Sequence, residues 1–162
     1  MALLLISACA EHLDASIIHP VAPTTVRLNH HRTNAADVAR LLARRDYHDL
    51  RWWGMTANNS NQFTGLMLGD EVLISQKDTG LMNFHGIVEA KITNPDPTLA
   101  GAIWDSDHEN IFILKPTRGL AVNKTAFVTA LGYRPKYNIQ GPNLIRNARF
   151  RTYLGVKRRF RI

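Results

Sequence analysis

The chain has 162 residues, 45% apolar and 20% charged, a composition that suits one domain with a real core and excludes a disordered polyelectrolyte. Its single cysteine, Cys9, excludes an internal disulfide and a cysteine-based zinc site and fits a reducing cytoplasm. The formal charge is +7 and unevenly placed: the last acidic residue is Glu109, and nine basic residues follow Gly132, which favours a polyanion partner, most simply nucleic acid.

In chain order, residues 1–23 read as a helical or irregular lead-in, an N-terminal extension that ends at Pro20 and Pro23. Met1–Ala10 has neither the positive start nor the long apolar run of a signal peptide, and no segment is long enough to span a membrane. Thr24–Asn29 reads as a strand. Thr33 or Asn34 can cap a helix over Ala35–Arg45, with Val38, Leu41 and Leu42 on one face and Arg40, Arg44 and Arg45 on another. Asp49–Trp53 is a short strand, followed by a polar loop, Ala57–Gln62. Turns at Leu68-Gly69-Asp70 and Asp78-Thr79-Gly80 frame a hairpin of Glu71–Ser75 with Met82–Thr93. Pro97 can open a short helix that delivers Trp104. Ile111–Leu114 is another strand, and Asn123–Leu131 a helix closed by Gly132. Short strands with helices after the first and at the end predict an α+β fold built on a small, curved or barrel-like sheet with helices outside.

Trp52 and Trp53 are neighbours on a strand and must point to opposite faces, so one can enter the core while the other is displayed. Displayed aromatic faces in a basic chain suit the stacking of a flat base. Three core tryptophans are the competing structural reading. Candidate phosphate contacts are Arg40, Arg44 and Arg45 with the C-terminal Lys136, Arg146, Arg149, Arg151, Lys157, Arg158 and Arg159. Phe150, Tyr153, Leu154, Val156 and Phe160 interleave with them, so residues 142–162 pack on or directly follow the domain.

Four ordered segments carry a resemblance. They are Val26-Arg27-Leu28-Asn29, Trp53-Gly54-Met55-Thr56, Asn83–Lys91 and Ala100–Asp107. Together they resemble the YTH and EVE domains of the PUA-like fold, and the later pieces, Asn110–Leu114 and Leu131–Gly141, are similar to N-terminal DNA-binding modules of McrB-like modification-dependent restriction systems. The resemblance covers about residues 24–141. It implies a domain that flips a methylated base into an aromatic cage, with Trp53 and Trp104 as walls, Asn29 on the base edge, Phe84 as a substitute third wall and Asp105 at the rim. Trp52 then takes the inward, structural place.

No catalytic set emerges. His30, His31, His48, Asp49, Asp105, Asp107, His108 and Glu109 have no tight metal-ligand spacing, and no nucleophile elbow or phosphate-binding glycine loop is present. The expectation is a non-catalytic, cofactor-free DNA-binding module for a methylated base, N6-methyladenine ahead of 5-methylcytosine. It would act beside a nuclease or motor subunit in a restriction or defence system. The alternative is an RNA-directed protein of the same fold, an N6-methyladenosine reader or a processing enzyme.

Overall fold

A computed structural model of the chain describes residues 1–22, 24–26, 39–41, 43, 50–93, 97–105 and 108–162. In chain order the elements are Leu3–Ala8 (β1), Ala10–Leu13 (α1) running into a π-helical turn over Asp14–Ile18, Arg51–Met55 (β2) and Ser60–Gly65 (α2). Glu71–Gln76 (β3), Leu81–Thr93 (β4), Pro97–Trp104 (α3), Asn110–Asn123 (β5), Lys124–Ala130 (α4), Asn143–Ile145 (β6) and Asn147–Arg159 (α5) follow. The strands form one open sheet in the order β2-β5-β4-β3-β1-β6. The expected α+β class and curved sheet are therefore present. Among the described residues no helix is long and apolar enough to cross a membrane.

The main departure from the sequence reading is at the start. Leu3–Ala8 is not part of an extension but an inner strand, parallel to β3 (Leu3 opposite Glu71, Ala8 opposite Gln76) and antiparallel to β6. Leu4, Ile6 and Ala8 enter one core cluster with Trp53, Met55, Val72 and Phe112. Leu3 and Leu5 enter another, with Phe127, Ile145, Phe150 and Tyr153. A strand buried on both faces has no polar alternation and reads as an unbroken apolar run. That is why Ala2–Ile6 lacked a strand signature. Asp70 fixes the residue just before β1: the buried carboxylate accepts the N–H of Ala2 at 2.7 Å and of Met67 at 2.8 Å.

Two further expectations change. Thr24–Val26 is helical rather than extended, and the strand expected over Ile111–Leu114 continues to Asn123. Proline cannot donate to a ladder and is confined to edges and bulges, so Pro116 was a natural place to end it. The structure uses a bulge: register shifts between His85 and Gly86, where Gly86 faces Pro116. A Cβ on Gly86 would stand 3.2 Å from the Lys115 carbonyl oxygen, so glycine admits this close approach. Further shifts at Met82/Phe84 and Val88/Ala90 bend the long β4–β5 pair. α2 lies against β6, where Gly65 meets Leu144 and its carbonyl accepts from the Arg146 guanidinium.

Elsewhere the local signals hold. The β3–β4 hairpin forms, with positive φ at Asp78 and Gly80. Asn123 caps α4, its side chain accepting from the Ala126 N–H at 2.8 Å, and Gly132 turns the chain away with φ +83°.

Removal of residues 1–9 should abolish cooperative unfolding, and Leu4→Ala should cost about 2–5 kcal/mol in a urea titration. An unchanged transition after the truncation would mean that β1 is dispensable.

Candidate nucleic-acid interface

All three tryptophans are buried, which corrects the expectation of displayed faces. Trp52 is 1% exposed, Trp53 7% and Trp104 8%. On the edge strand β2 the alternation is as expected: Trp53 pairs across from Phe112 in the first cluster, while Trp52 pairs across from Ile113 in a second cluster with Leu99, Ile111 and Trp104. Trp52 is the inward one, and Trp53 keeps a slightly more open edge.

Trp53 and Trp104 are joined by two histidines. The rings run Trp53 to His12 (centroids 6.3 Å apart), His12 to His108 (5.9 Å) and His108 to Trp104 (5.0 Å), every contact edge-on. His12 comes from α1, so the segment taken from sequence as an extension supplies part of the site. The π-helical turn also supplies Ser16, whose fully buried Oγ accepts the Trp104 indole N–H at 2.9 Å. The Arg51 Nε–H donates to the Ile17 carbonyl at 2.8 Å, which holds the end of that turn against β2. His108 lies directly over Gly54: a Cβ there would come within 2.2 Å of the imidazole Cδ2 and 2.5 Å of Cγ. The backbone at Gly54 is thus a bare floor on which a flat ring rests.

The other expected pocket residues are dispersed. Phe84 lines an adjoining cavity of about 390 Å³ with Leu13, Ile17, Arg51, Gln76 and Asn83, and neither Trp53 nor Trp104 lines that cavity. Asp105 is exposed just beyond α3 with φ +52°. Asn29, Arg44 and Arg45 lie outside the described residues.

The basic residues divide in the same way. Arg40, Lys136, Arg149, Arg151, Arg158 and Arg159 are exposed. Arg146 is exposed but donates to the Gly65 carbonyl. Lys157 is the clear correction. Its Nζ sits 2.6 Å from Glu71 Oε2, an oxygen that also accepts from the Tyr153 hydroxyl at 2.7 Å and contacts His85 Nε2 at 2.7 Å. Lys157 docks α5 onto β3, and its charge is committed to that buried carboxylate. Burial alone would raise the Glu71 pKa, but the bonds from His85, Lys157 and Tyr153 outweigh it and hold the group at about 2. Burial and the bond to Glu71 push the Tyr153 phenol well above its ordinary value. Acidic Glu71 inside a strand gave no sequence signal, because its partners lie up to 86 positions away.

By sequence, no protein-family model and no curated protein matches the chain. By structure it is similar to the N-terminal domain of Thermococcus gammatolerans McrB bound to m5C DNA, with TM-score 0.71, 14% identity and 98% of each chain covered. It is also similar to the YTH domain of the Zygosaccharomyces rouxii MRB1 protein in complex with N6-methyladenosine RNA. There the TM-score is 0.51 at 12% identity, over 96% of this chain and 85% of that one. At these identities the likeness establishes the fold, and it is the YTH-like fold that the sequence resemblance implied.

Two outcomes follow from this geometry. Gly54→Ala should expel the His108 ring from its seat, read as a shift of the His108 imidazole resonances with the fold retained; unshifted resonances would contradict the packing. Glu71, with its pKa depressed, contributes stability that is fully present above about 4.5 and is lost as pH falls from there toward about 2. The shift is worth roughly 3 kcal/mol. Unfolding midpoints at pH 7 and pH 3 should therefore differ by less in Glu71→Gln than in the native chain, and equal differences would refute the assignment.

Proposed function

We propose that this chain is a non-catalytic module that binds a methylated base in DNA, taking the extruded base between Trp53 and Trp104. The observation that carries this is the ring series Trp53–His12–His108–Trp104 over the bare backbone of Gly54. An imidazole is flat, aromatic and polar at its edge, as a nucleobase is. His12 and His108 hold the place of the base in the free protein and leave it on binding.

The energetics support this exchange. Extrusion costs a few kcal/mol of unpairing and unstacking, and stacking on aromatic faces returns ~1–3 kcal/mol per base. Burying one methyl group adds ~0.8 kcal/mol, or about fourfold in affinity. Phosphate contacts from Arg149, Arg151, Arg158 and Arg159, all exposed, supply affinity without base information. Lys157 is not among them.

Two bases fit the reading. The sequence resemblance puts N6-methyladenine first; the likeness to a domain bound to m5C DNA at TM-score 0.71 brings 5-methylcytosine level with it. That likeness also favours DNA over RNA, while the match to a domain in complex with N6-methyladenosine RNA supports an RNA reader as the second reading. In either case cleavage or translocation would belong to a separate subunit.

The test is affinity for a duplex with one N6-methyladenine, one 5-methylcytosine or neither, and for matching RNA strands, all at fixed salt. One methylated DNA should bind at least about fourfold tighter than its unmethylated twin, and Trp53→Ala should erase the difference. The same mixtures with magnesium should show no cleavage. Equal affinities across all DNAs, or preference confined to RNA, would overturn the DNA reading; cleavage by the pure chain would overturn the non-catalytic one.

A further inference from the structure

The third core cluster carries an aromatic group that the tryptophan site does not use. Beyond α4, Gly132 turns the chain, and a tight turn with the Tyr137 N–H on the Arg134 carbonyl (2.8 Å) sets Tyr133 and Tyr137 face to face. Their ring centroids are 4.1 Å apart and their planes 20° from parallel. Asn143 of β6 donates its side-chain amide to both phenol oxygens, at 3.1 and 2.7 Å, which fixes the pair. The Arg149 guanidinium, from the first turn of α5, sits 4.3 Å over the Tyr133 ring. Gly132, Tyr133, Arg134, Lys136, Tyr137 and Arg149 surround an open basin of about 560 Å³.

The electrostatics of this basin are one-sided. Three cations converge on it, no carboxylate lines it among the described residues, and no acidic residue occurs after Glu109. Like charges held together on a fixed aromatic frame repel one another unless an anion joins them. A stacked aromatic pair, a guanidinium plane and exposed cations are together what a single-stranded nucleotide requires. The base stacks on the flat groups and the phosphate sits among the charges.

We propose that this basin is a second nucleic-acid site, which takes an unpaired nucleotide irrespective of methylation: the base against the face of Tyr137 turned away from Tyr133, the phosphate against Arg134 and Lys136. It goes beyond the tryptophan pocket and does not depend on it. The probe is a short unmethylated oligodeoxycytidylate, which offers neither a methylated base nor a duplex from which to extrude one. Its binding therefore reports on the basin separately from the methyl reading.

With the full chain, fluorescence anisotropy should show binding of this oligonucleotide. Tyr137→Ala should weaken it about tenfold or more, Tyr137→Phe, which keeps the stacking face, much less, and unmethylated duplex should lose little in either variant. The double variant Arg134→Glu with Lys136→Glu changes only exposed side chains. It should abolish oligonucleotide binding with an unaltered thermal melt, so the proposal remains testable if Tyr137→Ala fails to fold. No binding of the oligonucleotide by the native chain, or undiminished binding by the double variant, would overturn the site. Equal losses for oligonucleotide and duplex in Tyr137→Ala would also overturn it, reducing the basin to a general phosphate patch.

Discussion

The parallel pairing of Leu3–Ala8 with Glu71–Gln76 supports the rest of the molecule from both sides. With β1 fixed by the Asp70 carboxylate and buried on both faces, the chain leaves it directly into α1. That places His12 against Trp53 and Ser16 under the Trp104 indole. On the other face, Glu71, the first residue of β3, receives Tyr153 and Lys157 and so seats α5. The aromatic series at the β2 edge and the tyrosine stack beside α5 are therefore organised by one strand pair, though they lie on different core clusters.

This arrangement also separates cations that the sequence makes look alike. Lys157 is held by a buried carboxylate and contributes to docking a helix. Lys91, whose pKa burial lowers, donates to the Phe63 and Leu66 carbonyls at 2.5 and 2.6 Å and so satisfies the end of α2. Arg149 is placed by an aromatic ring. Among the described residues of the acid-free C-terminal segment, Arg134, Lys136 and the exposed arginines of α5 remain presented outward.

What was legible in the sequence was local. The β3–β4 hairpin, the Asn123 cap, the Gly132 stop and the opposed faces of Trp52 and Trp53 all depend on spacing within a few residues. β1 was not legible, because burial on both sides erases the period-two pattern by which strands are recognised. The continuation of β5 past Pro116 was hidden for a related reason: the bulge that accommodates it depends on Gly86 in the partner strand. In the ring series of the proposed site, Trp53 and Trp104 are marked by their segments, whereas His12 and Ser16 lie in residues 1–23, which read as an extension. In the sequence His108 stands only among polar residues without metal-ligand spacing; its seat over Gly54 is a long-range contact that no local signal announces.

The central claim is that a methylated base leaves its duplex and takes the place of His12 and His108 between the two tryptophans. It is tested most directly with a duplex carrying 2-aminopurine beside the methylated base, because that fluorophore brightens when its stacking neighbour departs. Binding of the native chain should raise the emission, and binding of Trp53→Ala at saturating concentration should not. Saturated binding of the native chain with no rise in emission would contradict the account.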